Sequence, residues 1–159
     1  GNLYDAIFID LPDPKSVALS QLYSLGFYKM IEKHLKPFGA MVTQSTSPLY
    51  SPEAFLCIKK TMQAAGFSVL SYQNSVPSMC QWGWQLGIRK KAMSADLLKQ
   101  KLTMKKFSNI ETQFFNQDAM ISMAHFGKGL FEKEGEIEPN TQFDHNILKY
   151  YKHGSWDLY

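Results

Sequence analysis

The chain begins with a six-residue stretch, Tyr4-Asp5-Ala6-Ile7-Phe8-Ile9, that closes on four unbroken apolar residues and runs straight into Asp10-Leu11-Pro12-Asp13-Pro14. An apolar run without alternation is the pattern of a parallel strand covered on both faces, and parallel strands require helical crossovers. Tyr4–Ile9 therefore predicts an α/β fold, with this strand inside the sheet rather than at an open edge.

The segments that follow supply the crossovers. In "ALSQLYSLGFYKMIEKHL" the residues Leu22, Leu25, Tyr28, Ile31 and Leu35 recur at helical spacing, which predicts one helix of about four turns stopped by Pro37 and Gly39. "AMVTQ" reads as a second buried strand ending on Gln44. A second helix over "SPEAFLCIKKTMQAAG" takes Ser51 as its cap, Pro52 as its first residue and Gly66 as its stop. "FSVLSYQN" and "GWQLGIRK" are joined too closely for a helix between them, so they pair antiparallel, whereas the earlier crossovers are right-handed and parallel. The prediction is a mixed sheet with helices on both faces over residues 1–92. A mostly helical C-terminal appendage over 93–159 packs on it, with "SADLLKQKL" and "FDHNILKYYKH" as its helical stretches. Two parallel strands are few for such a sheet, so the chain reads as the C-terminal half of a larger one. An unpaired first strand predicts a homo-oligomer or a strand-exchanged dimer.

Composition narrows the function classes. At 159 residues, 45% hydrophobic and 14% aromatic, the chain can bury a core. Its longest apolar runs fall far short of the roughly 20 residues of a membrane span, and no charged-then-apolar leader opens it. Cys57 and Cys80 lack close spacing and a histidine cluster, the pattern of reduced thiols in a cytosolic setting. The net charge of +3 is dispersed, which argues against a nucleic-acid reader. His34, His125, His145 and His153 are scattered, so no metal site is expected. "FGKGLFEKEG" lacks phosphate-loop spacing and reads as a surface loop. Glu132, Glu134, Glu136 and Glu138 read as a solvated loop of alternating charge.

Asp10, Asp13 and Gln44 fall at the carboxyl ends of the two parallel strands, where open α/β sheets bind ligands. Pro12 fixes its own φ and keeps Leu11 extended, so a stiff turn can present both carboxylates to one cavity. The residues alone also allow Asp10 to end the strand in an Asx-turn and Asp13-Pro14 to start the next turn or helix, roles aspartate commonly fills.

A strand ending in Asp-x-x-Asp-Pro, then a helix with Tyr-Ser-x-x-Phe-Tyr, then a strand ending in glutamine, resembles the polyamine aminopropyltransferase family, the spermidine synthases. "FFNQDAM" and "FDHNILKYYKHGSW" are similar to the tail of its bacterial branch, which attaches this domain to a multi-pass membrane region. The resemblance implies the C-terminal half of a Rossmann-like, methyltransferase-type fold. It further implies aminopropyl transfer from decarboxylated S-adenosylmethionine, a co-substrate and no tightly bound cofactor, to putrescine. In that reading Asp10 accepts the amine proton, and Asp13 holds the same amine or raises the Asp10 pKa by like-charge repulsion. Gln44 hydrogen-bonds the diamine, and Leu11, Val17, Ala18 and Leu22 pack against the donor's nucleoside. Soluble members commonly carry a tyrosine two residues after the proline of "NSVPSMCQWGWQLG". Here Met79 stands at that position as a flexible apolar wall, which puts the length of the acceptor in question, with Trp82 and Trp84 as further pocket walls or plain core aromatics. The family's glycine-rich donor loop and earlier acids do not precede Tyr4, which predicts that this chain by itself is inactive. A cytoplasmic domain of an inner-membrane protein is the implied location. A related methyltransferase and a noncatalytic binding or assembly module of the same fold are the alternatives.

Overall fold

The computed structural model describes residues 1–158. β1 (Tyr4–Ile9) leads through the acid turn to two short helices, α1 (Val17–Gln21) and α2 (Leu25–His34), and then to β2 (Leu35–Gln44). α3 (Pro52–Ala64) follows, then the hairpin β3 (Phe67–Val76) and β4 (Cys80–Arg89). α4 (Ala95–Thr103), α5 (Gln117–Met123) and α6 (Asn146–Lys152) complete the chain, with 3-10 turns at Glu134–Glu136 and Trp156–Leu158.

The four strands lie in the order β1-β2-β4-β3, with β1 and β2 parallel and β4 antiparallel to both its neighbours. This is the predicted mixed sheet. One expectation about it fails: β1 is an edge strand, and it is not covered on both faces, since Phe8 is 82% exposed. Its continuous apolar run signals that both faces can be buried, and among the described residues nothing fills that role.

The single helix expected over residues 18–35 is two. Ser24 caps α2 by accepting from the Phe27 N–H, and the Leu25 N–H, freed by the break, donates to the Asn140 carbonyl over 2.8 Å. Local spacing survives the break because Leu22 and Leu25 both still face the core. β2 starts at Leu35, earlier than "AMVTQ" implied. Its pairing jumps from Tyr4 opposite Leu35 to Ala6 opposite Ala40, so Lys36 to Gly39 bulge out of the ladder.

α3 carries the core. Ala54, Phe55, Leu56, Cys57, Ile58 and Met62 are all buried, and the sheet approaches so closely that a side chain at Gly83 would collide with the Phe55 ring. Ser51 precedes Pro52 as expected but makes no side-chain cap, and Gly66, at φ +103°, ends the helix. Ile137, Ile147 and Tyr151 from the last third join the same cluster as Tyr23, Tyr28 and Phe55. On the opposite face of the sheet α4 packs Leu98 against Leu70 and Ile88. No helix among the described residues is long and apolar enough to cross a membrane.

Candidate active site

The carboxyl ends of β1 and β2 open into a cavity of about 890 Å³. Its floor is the acid turn from Asp10 to Asp13 with Gln44. One wall comes from the hairpin through Tyr72, Met79, Trp82 and Trp84, and another from the C-terminal segment through Tyr151 and Trp156.

The turn is held from beneath. Gln44 is 5% exposed, and its amide nitrogen donates to the Leu11 carbonyl over 2.7 Å and to the Tyr23 hydroxyl over 2.6 Å. The Tyr23 hydroxyl in turn donates to the Leu11 and Pro12 carbonyls at 3.1 and 3.0 Å. The Gln44 amide oxygen accepts from the Thr46 N–H at 2.8 Å and from the Trp82 indole N–H at 3.2 Å. Proline stiffness is reinforced by two successive carbonyls, Leu11 and Pro12, pinned by buried donors. Burial and the neighbouring Asp13 charge keep the Tyr23 phenol far above its usual pKa, so it remains a donor.

The two aspartates differ. Asp10 is exposed, and among the described residues its carboxylate accepts no hydrogen bond, so it forms no Asx-turn. The first helix after it is capped by Ser16 and not by Asp13, whereas Asp13-Pro14 does open a tight turn, the Asp13 carbonyl accepting from the Lys15 N–H over 2.7 Å. Asp13 is half-buried. Its Oδ2 accepts from the Tyr151 hydroxyl at 3.0 Å, and its Oδ1 lies 3.4 Å from the Gln44 amide nitrogen. Burial raises its pKa above the ordinary aspartate value, against the lowering influence of Tyr151, Gln44 and Lys15.

On the hairpin wall Trp84 stacks on Tyr72 at 5.5 Å with an interplanar angle of 15°. Burial pushes the Tyr72 phenol up to about 12. Met79 sits at the hairpin tip, 39% exposed. Trp82 and Trp84, for which core packing was the competing reading, both line the cavity.

Of the residues expected at the site, Asp10, Leu11, Asp13, Gln44 and Met79 are brought together. Val17, Ala18 and Leu22 do not line the cavity: Val17 and Ala18 are exposed on α1, and Leu22 packs toward the core. Tyr23, Tyr72, Tyr151 and Trp156 belong to the site and were not anticipated. The Tyr-Ser-x-x-Phe-Tyr element contained Tyr23, but no local pattern distinguishes it from core aromatics. Among the described residues no group of three or more His, Cys, Asp or Glu side chains is gathered to hold a metal.

Two parallel strands, one running into acids and the other ending on glutamine, beside an antiparallel hairpin define a methyltransferase-like α/β sheet. The chain belongs to the spermine/spermidine synthase domain family, whose profile matches residues 1–101. Over 158 residues, 98% of its length, it is 29% identical to the polyamine aminopropyltransferase of Oceanobacillus iheyensis, of which it covers 29%. It is 31% identical over 147 residues, 92% of its length, to polyamine aminopropyltransferase 1 of Streptomyces coelicolor, covering 26% of that protein. The chain therefore spans less than a third of the length of these curated relatives. Among solved structures it is similar to the spermidine synthase of Thermotoga maritima, with a TM-score of 0.61 at 19% identity, covering 86% of this chain and 45% of that one. A spermidine synthase in complex with the transition-state analogue AdoDATO gives a TM-score of 0.63, also at 19% identity, covering 86% and 46%. These likenesses establish the fold.

Proposed function

We propose that this chain is the acceptor-side half of a polyamine aminopropyltransferase, which moves an aminopropyl group from decarboxylated S-adenosylmethionine to a diamine such as putrescine. The observation that carries the reading is the unpartnered Asp10 carboxylate, set beside half-buried Asp13 at a parallel strand end and open to a cavity walled by Tyr72, Trp82 and Trp84.

An alkyl amine with a pKa of about 10.4 is almost wholly protonated near neutral pH. Asp10, free of protein partners, binds the ammonium and takes its proton. The amine lone pair then attacks the propyl carbon attached to the sulfonium. A carbon–nitrogen bond forms, the carbon–sulfur bond breaks, and the electron pair stays on sulfur, which leaves as the neutral thioether methylthioadenosine. Asp13 supports the positive charge of the bound amine, and the aromatic wall accommodates its methylenes and any further ammonium by cation–π attraction. Gln44 acts by positioning: its donors and acceptors are engaged within the protein, so it holds the turn and not the diamine. Leu11 is the one expected donor contact at the cavity. The rest of the donor pocket belongs to chain that pairs beyond the free edge of β1, which is why this chain alone should not turn over. A strand added there, by another segment or a second copy, accounts for the exposed Phe8. Attachment of the complete protein to the inner membrane, with this domain on the cytoplasmic side, is consistent with the much greater length of the relatives.

The test is Asp10→Asn in the complete protein, where loss of a positioned base should lower kcat by about 10²- to 10⁴-fold. Unchanged turnover would end the assignment, and transfer from ordinary S-adenosylmethionine would turn it toward a methyltransferase.

A further inference from the structure

The C-terminal segment reaches the site through a chain of specific contacts. Asn140 is fully buried; its N–H donates to Thr61 Oγ1, its carboxamide donates to the Ser20 carbonyl, and its side-chain oxygen accepts from the Ile147 N–H that begins α6. Ser20 Oγ and His145 Nδ1 stand 2.9 Å apart just ahead of that helix. α6 is thereby bolted to the α1–α2 region, and its buried Tyr151 is delivered to the acid turn. Beyond it the chain turns back at Gly154, where a Cβ would lie 2.8 Å from the Tyr50 carbonyl oxygen. The Trp156 indole N–H donates to the Tyr151 carbonyl over 2.7 Å, and the two rings pack at 4.5 Å. The buried Tyr151 ring is thus held against Trp156, and its hydroxyl donates to Asp13 Oδ2 over 3.0 Å.

We propose that Tyr151 is a positioning residue for acceptor binding, holding the Asp13 carboxylate in one orientation through its hydroxyl, so that the C-terminal segment sets the affinity of the site for a cationic amine. The inference rests on the amine-handling reading above. Burial works against ionisation of Asp13, and the Tyr151 hydrogen bond opposes it. Among the described residues the other titratable groups around Asp13 are Asp10 and Lys15 on its own turn and Tyr23 from the link between α1 and α2; β2 and β4 present neutral Gln44 and Trp82 there. Asp10 works on the reacting nitrogen and the Tyr151 hydroxyl donates to Asp13, so Tyr151 governs binding more than turnover.

Tyr151→Phe keeps the ring and removes only the hydroxyl. Carbon-13 NMR of the aspartate carboxyl groups should show the Asp13 titration midpoint moved to higher pH in Tyr151→Phe. In the complete protein the KM for putrescine should rise about tenfold, the worth of one charge-assisted hydrogen bond, with kcat within about twofold of the parent. The acidic limb of the kcat/KM profile should move in the same direction as the NMR midpoint. Tyr150→Phe, altering the neighbouring phenol that accepts from the Glu138 N–H, should do none of this. An unmoved Asp13 midpoint in a folded Tyr151→Phe protein overturns the proposal, as does a tenfold loss confined to kcat. The NMR result stands whether or not aminopropyl transfer proves to be the reaction, so the two readings fail separately.

Discussion

The Gln44 side-chain amide and the Tyr23 hydroxyl, 2.6 Å apart and both buried, form one clamp under the acid turn. Leu11 and Pro12 hang from it by their carbonyls, and Trp82 rests on it from the hairpin side. Floor and wall of the cavity are thus referenced to a single glutamine.

Replacing that glutamine should be costly for the fold. Gln44→Leu leaves the Thr46 N–H and the Trp82 indole without an acceptor and the Leu11 carbonyl short of a donor, each a buried loss of about 1–3 kcal/mol. We expect a net destabilisation of about 3 kcal/mol, seen as a lower urea midpoint at unchanged m-value. A shift below about 0.5 kcal/mol, the scale of a neutral surface change, would mean that the clamp is not what holds the turn.

Asp13 should make the protein less stable as pH rises. Native Asp13 keeps its proton more readily than the unfolded chain, whose value is near 3.8, so the native state binds more protons between 3.8 and the raised value. Its stability contribution therefore falls as pH climbs through that window and is level above it. Asp13→Asn should unfold at higher urea than the parent at neutral pH while losing putrescine affinity. Urea titrations between about pH 3 and pH 7 measure the first effect and calorimetry with putrescine the second.

The two thiols should react at very different rates. Cys57 is buried and its pKa is pushed up to about 12 by burial, whereas Cys80 is exposed at the start of β4. A chromogenic disulfide reagent should label Cys80 at once and Cys57 only after denaturant is added. Rapid labelling of both in the native protein would show that the α3 core opens readily.

The chain of residues 1–159 should self-associate at tens of micromolar, through the open edge of β1 and its exposed Phe8. Phe8→Lys should return it to a monomer. Sedimentation velocity decides: a parent that is already monomeric removes the edge as the association site.

Most of the fold was legible because its signals are local. The apolar runs of β1 and β2, Pro52 and Gly66 around α3, and the short link between β3 and β4 each act within a few residues. The break at Ser24 was not legible, since Leu22 and Leu25 keep their spacing across it and the partner of the freed Leu25 N–H is Asn140, far along the chain. α5 is seven residues long with none fully buried, so the apolar spacing of Ala119, Met120 and Met123 is too brief to mark a helix. At the site, the acids and the glutamine were visible because strand ends are predictable places. Tyr23, Tyr151 and Trp156 reach it through tertiary contacts, and a buried tyrosine looks the same in sequence whether its hydroxyl serves the core or a carboxylate.

The exposed flank of β1 has a further consequence. Asp10 follows directly on the strand with the fewest neighbours, so its reach across the cavity inherits the stiffness of whatever lies alongside that strand. On the reading proposed, an incompletely built enzyme would have its acid turn clamped from beneath but its proton acceptor on a strand open on one side, and would idle. Chemistry would begin only once the outer strand is in place, and turnover itself would report that assembly has finished.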